Sequence, residues 1–88
     1  MRFVLNVSAC KSAEELHRAL ADGLHFPAWY GSNLDALHDC LTDLTEPTEL
    51  VVCGESALDA LLDRRAAAFR RVLRDSAEEN PNLIVRFA

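Results

Sequence analysis

Ser32-Asn33-Leu34-Asp35-Ala36-Leu37-His38-Asp39-Cys40-Leu41-Thr42-Asp43-Leu44 carries two patterns at once. Leu34, Leu37, Leu41 and Leu44 follow a 3-4-3 spacing, which at about 100° per residue gathers them into one apolar stripe. Ser32 or Asn33 stands where an N-cap belongs, and Asp35 is well placed beside the positive end of the helix dipole. A helix is therefore predicted from here to about Leu44, packed through its leucines. The run Thr48–Cys53 that follows is apolar and β-branched and closes on Gly54, which reads as a strand.

The flanking sequence continues in the same style. Upstream, residues 3–7 form a short apolar strand, and Ser12 followed three residues later by Glu15 is a capping box that opens a helix. Ala13, Leu16, Ala19 and Leu20 recur at helical spacing, and Gly23 is expected to end that helix in the left-handed conformation. Residues 24–32 read as a loop, broken by Pro27 and Gly31 around the bulky pair Trp29 and Tyr30. Such a pair either pins a loop to the core or builds a recognition surface. Downstream, Ser56 is expected to open a short helix through Leu62, and a longer one follows to about Glu79. In the longer one Phe69, Val72, Leu73 and Ser76 share a face, and Arg64, Arg70, Arg71 and Arg74 gather on the other. Asn80-Pro81-Asn82 stops it, and Leu83–Phe87 is a third strand.

Three strands separated by helix pairs give β-α-α-β-α-α-β. Helical crossovers favour a small three-stranded parallel sheet, packed with helices in two layers by right-handed connections: the α/β class. At 88 residues and 9.8 kDa the chain is expected to be a single domain, residues 1–88. Folding at this size hides roughly 64% of the unfolded surface, enough for one modest core. With 50% hydrophobic and 26% charged residues, disorder is not expected. No apolar run approaches the roughly 20 residues of a membrane span, and the opening Met1-Arg2-Phe3-Val4-Leu5-Asn6 lacks the apolar stretch of a signal peptide, so a cytoplasmic location is expected. Cys10, Cys40 and Cys53 are widely spaced and odd in number, which signals neither a disulfide framework nor a zinc cluster and suggests small buried hydrophobes.

The net charge of −5 argues against nucleic acid or anionic lipid as the main partner. Its distribution is more informative. Residues 19–63 hold nine acidic side chains and no Lys or Arg, whereas the remainder holds nine basic and five acidic ones. Within the acidic half, Asp35, Asp39 and Asp43 fall at i, i+4 and i+8, lining the face opposite the leucine stripe over about 12 Å of axis. Each like-charged i, i+4 pair opposes the helix by roughly 0.2–0.5 kcal/mol, and Asp43 lies near the negative end of the dipole. A solvated acidic face is one explanation. A surface made for a cationic partner is the sharper one.

Catalysis is the weaker alternative. A general acid/base pair needs a carboxylate whose pKa is raised in an apolar pocket, and an exposed helical stripe is a poor place for one. His38-Asp39-Cys40 contains ligand types, but consecutive helix residues point about 100° apart and cannot converge on one metal ion. No nucleophile elbow, phosphate loop, dinucleotide fingerprint or zinc-protease motif occurs. His17 and His25 have no recognisable partner. The arginine face of the last helix has no interleaved aromatics, so a solvated face, or pairing with the acidic half, is expected there rather than RNA binding.

Pro27-Ala28-Trp29-Tyr30-Gly31-Ser32-Asn33-Leu34-Asp35-Ala36-Leu37-His38-Asp39-Cys40-Leu41-Thr42 resembles the signature of the barstar family of bacterial ribonuclease inhibitors. That signature reads P-x-aromatic-Y-G-x-N-L-D-A-L-aromatic-D-C-L-T, and the similarity extends over essentially the whole chain. It implies a barstar-like fold and an intracellular immunity protein that plugs the active site of a small, basic, barnase-type ribonuclease, without catalysis, metal or cofactor and as a monomer when free. The position matching Asp39 enters the phosphate pocket, so Asp39 would stand in for substrate phosphate. Asp35 matches another interface carboxylate and Thr42 a hydrogen-bonding position. Gly31, Asn33 and Leu34 match the lip of the site, and Asp75 falls where the family has a peripheral Glu.

Four further positions depart from the family. Trp29 replaces the usual Tyr, His38 and Leu44 each replace a Trp, and Asp43 replaces a Gly. The charge logic survives these changes, but aromatic anchors set interface specificity. Preference for a cognate nuclease over standard barnase, by about an order of magnitude or more, is expected. The competing expectation is a barstar-like adaptor for a basic protein that is not a ribonuclease.

Overall fold

A computed structural model describes residues 1–88. In chain order the elements are β1 (Arg2–Asn6), α1 (Ala13–Leu24), α2 (Leu34–Thr42), β2 (Thr48–Cys53), α3 (Leu58–Leu62), α4 (Ala66–Glu79) and β3 (Leu83–Phe87), with 3₁₀ turns at Val7–Ala9, Glu55–Ala57 and Asp63–Arg65. The order is the β-α-α-β-α-α-β predicted from sequence. β2 lies between β1 and β3 and both pairings are parallel, with Val4 opposite Val51 and Val51 opposite Arg86.

Strands that lie side by side in chain order, joined by crossovers of one hand, put both helix pairs on the same face of the sheet. Burial alternates accordingly on the two edge strands, while Val51 of the central strand is buried even on the open face. Leu5, Thr48, Leu50, Val52 and Leu83 are buried beneath the helices, while Arg2, Val4, Asn6, Ile84 and Arg86 on the opposite face are exposed. On that open face Glu49 takes Arg2 at 3.4 Å and Arg86 at 2.6 Å, so one carboxylate ties three strands together. The core joins Leu5, Leu16, Leu20, Leu37, Leu41, Leu50, Phe69 and Leu73, among others. Each such side chain withdrawn from water contributes about 1.5–3 kcal/mol.

The helix ends follow local chemistry in part. Ser12 Oγ accepts from Glu15 N–H at 3.1 Å, as a capping box requires, but the Glu15 carboxylate reaches back to Lys11 N–H at 3.3 Å instead of the cap's own amide. Gly23 does not end α1. His25 does, with φ 58°, and its N–H closes on Ala21 C=O. Gly23 is needed for a different reason: a Cβ there would run into the Phe3 ring, so the glycine lets β1 approach α1. Gly54 does take the left-handed conformation, φ 74°, beside Ser8.

α2 stops at Thr42, two residues short of the expected Leu44. The cause lies far away in sequence. Asn80 Nδ2 donates to Leu41 C=O and Leu44 C=O, both at 3.0 Å, and Asn82 Nδ2 donates to Leu44 C=O at 3.2 Å. These amides satisfy carbonyls that a helix end leaves orphaned, and turn the chain out toward β2. Of the cysteines, all free, Cys40 is buried, whereas Cys10 and Cys53 are half-buried, which corrects the expectation for those two.

Candidate functional site

α2 is fixed at three places. Leu37, Cys40 and Leu41 are buried beneath it, Asn33 Oδ1 accepts from Ala36 N–H at 2.8 Å at one end, and Asn80 holds the other. Its outer face is therefore set rigidly. Asp35 and Asp39 project from that face, and Asp43, though it caps the helix, keeps helical dihedrals and continues the row. The Asp39 side chain is 69% exposed, and its nearest cationic group is His38 Nδ1 at 4.0 Å. No Lys or Arg pairs with any of the three. Beneath them burial, then the charges of Asp43 and Asp39, push the Cys40 thiol up, so it stays neutral.

The acidic surface continues onto α4. His38 Nε2 lies 2.6 Å from Glu79 Oε2, and Asp75 stands one turn earlier on the same helix. The hydrogen bond to Glu79 is the main reason the His38 pKa is raised. Burial opposes it, and the charges of Glu79, Asp39 and Asp75 add to it. Glu79 is a site residue that sequence reasoning missed. Its i, i+4 relation to Asp75 was visible, but its meeting with His38 across 41 residues was not. Thr42 Oγ1 donates back to His38 C=O at 2.8 Å, so its lone pairs remain as acceptors at the end of the acidic row.

The loop before α2 separates its two aromatics. Tyr30 packs on Phe26 with centroids 5.0 Å apart and bonds His17 Nδ1 through its hydroxyl at 2.5 Å, which gives His17 the partner that the sequence did not reveal. Trp29 is 63% exposed and is presented to solvent beside exposed Gly31, Ser32 and Asn33. Asn33 Nδ2 also donates to Gly31 C=O at 3.4 Å, so the α2 cap and the loop share one side chain. Leu34 is turned partly into the core rather than fully outward.

Cations are held elsewhere. Arg70, expected on a solvated face or paired with the acidic half, takes the second role, pairing with Glu55 at 3.0 Å and Asp59 at 3.3 Å, and Arg74 lies 5.5 Å from the Phe87 ring centre. Of the positions that sequence reasoning grouped, Asp35, Asp39, His38, Asp43 and Thr42 share α2 and its end, with Asp75 on the adjoining helix and Trp29, Gly31 and Asn33 on the loop. No three His, Cys, Asp or Glu side chains converge as metal ligands would, and no helix is long and apolar enough to cross a membrane.

A parallel three-stranded sheet carrying helix pairs on one face, with this acidic second helix, is the architecture of a barstar-like α/β protein. The chain belongs to the barstar family: the family model described as Barstar (barnase inhibitor) matches residues 1–87. It is also 39% identical over 70 residues, 78% of this chain and 77% of the other, to a Bacillus subtilis (strain 168) protein named "Putative ribonuclease inhibitor YrdF".

Proposed function

We propose that this chain is an intracellular inhibitor of a small, basic, barnase-type ribonuclease, acting as a single-domain monomer and not as an enzyme. α2 and the loop before it enter the nuclease's active site, where Asp39 takes the place of a substrate phosphate. The observation that carries this proposal is the row of carboxylates on α2, continued by Asp75, with no Lys or Arg partner of its own. A carboxylate that meets an arginine in a closed interface forms charge-assisted hydrogen bonds stronger than neutral ones. Membership of the barstar family and likeness to a protein named as a ribonuclease inhibitor support the same conclusion.

Asp35 and Asp43 flank Asp39 and meet the cationic rim, Thr42 accepts a hydrogen bond at the helix end, and Asp75 makes a peripheral contact. Trp29 supplies an aromatic anchor, while Gly31, Asn33 and Leu34 shape the lip. His38 is drawn toward Glu79 and contributes less apolar contact than the family's aromatic residue. That favours a partner other than standard barnase, whose cationic rim suits the extra carboxylate of Asp43. The test is cleavage of a fluorogenic RNA by a barnase-type ribonuclease, titrated with wild type and with Asp39→Ala. Inhibition by wild type that collapses in the variant supports the mechanism. No inhibition by either protein with any ribonuclease tried, together with capture of a basic non-nuclease, would favour an adaptor role.

A further inference from the structure

A cleft of about 220 Å³ opens between α1, the start of α2 and the turn joining α3 to α4, away from the outer face of α2. Its apolar wall includes Ala13, Leu62 and Phe69, and its polar groups include His17, Ser32 and Arg65. No carboxylate lines it, in a protein whose net charge is −5. Arg65 makes no ion pair with any Asp or Glu, unlike Arg70 on the next helix.

His17 is 7% exposed, and burial, with the Arg65 charge adding to it, holds its pKa down, so the ring is neutral at pH 7. Burial also keeps the Tyr30 phenol protonated. The Tyr30 hydroxyl and His17 Nδ1 are hydrogen-bond partners. Nε2 has no hydrogen-bond partner in the chain, and in the tautomer whose Nδ1 accepts from the Tyr30 hydroxyl it carries the imidazole proton. His17 is almost wholly buried, yet this nitrogen is not sealed off, because Ser76 Oγ is the one buried side-chain atom left without a partner; Nε2 is open to an acceptor in the cleft that His17 lines.

We propose that this cleft binds a small monocarboxylate with an apolar body about the size of a benzene ring, its carboxylate taken by Arg65, the His17 Nε2–H and the Ser32 hydroxyl. The guanidinium supplies the charge-assisted bond and the apolar wall covers the body of the ligand. The cleft borders the proposed nuclease contact through Asn33 and Leu34, but binding in it can be read on the free protein.

The full chain is titrated with sodium benzoate and followed by amide NMR spectra, alongside benzamide, inorganic phosphate and the variant Arg65→Gln, whose side chain is exposed and whose loss leaves the core intact. Saturable shifts at His17, Ser32 and Leu34 are expected, weakened about tenfold or more in Arg65→Gln and for benzamide. Absence of saturable shifts at those residues, or equal binding by Arg65→Gln or by benzamide, would overturn the proposal. Phosphate binding as tightly as benzoate would overturn its apolar part.

Discussion

His38 Nε2 and Glu79 Oε2, 2.6 Å apart, join α2 to α4 at the middle of the acidic surface. The pair sits beside Asp39 and Asp75, and on both helices the charges facing His38 are negative.

His38 has a folded pKa above its unfolded value near 6.5, so its contribution to stability is full below that value and is lost as pH rises through the folded pKa. Thermal melts of wild type and His38→Gln should therefore differ most under mildly acidic conditions and converge under alkaline ones. A gap that stays constant with pH would remove His38 as the cause.

The same bond should tune partner binding in the opposite direction. A cationic partner at Asp39 and Asp75 opposes the protonated ring, so affinity should rise as pH increases through the His38 pKa, on top of any titration in the partner. Comparing wild type with His38→Gln across pH isolates this contribution. An identical profile for the two proteins would count against it.

Asn80 is 5% exposed and donates to two carbonyls of the α2 end while accepting from Asn82 N–H at 3.0 Å. Asn80→Ala leaves these groups unmatched and should destabilise the fold by about 2–3 kcal/mol, measured by urea denaturation. A loss within about 0.5 kcal/mol of zero would mean that the α2 end is held by something else.

Gly23→Ala should also destabilise. Ala favours a helix interior by about 1 kcal/mol over Gly, but here its methyl collides with the Phe3 ring, and overpacking typically costs about 1–3 kcal/mol. The double variant Gly23→Ala, Phe3→Leu should recover part of the loss. If the single variant proves more stable than wild type, the close approach of β1 and α1 is not tight.

Sequence-local chemistry accounts for what was legible. The 3.6-residue stripe of α2, its Asn33 cap, the Ser12 cap and the apolar strand runs need only near neighbours, and each appears where the sequence places it. What escaped is set by distant partners. Gly23 looked like a helix terminator because Phe3 is 20 positions away, and the end of α2 is decided by Asn80, 39 positions beyond Leu41. The link from His17 to Tyr30 and the one from His38 to Glu79 also needed the tertiary packing. At the candidate site the acidic row was visible as a pattern. Its continuation to Glu79, and the separation of exposed Trp29 from anchored Tyr30, were not.

Asp43 ends the row on α2 and Asp75 stands off that helix on α4, so neutralising them should act on encounter more than on the formed complex. Asp43→Asn and Asp75→Asn should lower the association rate with a basic ribonuclease several-fold at low salt and flatten its salt dependence, with little change in dissociation. Stopped-flow association at two ionic strengths distinguishes this from a change confined to the dissociation rate, which would place these residues inside the contact.

Asp39 is the most direct test. Wild type should inhibit RNA cleavage by its target nuclease stoichiometrically, and Asp39→Ala should weaken inhibition by about 100-fold or more, as removal of one member of a buried ion pair typically costs about 3–5 kcal/mol. Undiminished inhibition by a folded Asp39→Ala protein would contradict the claim that this carboxylate takes the place of substrate phosphate.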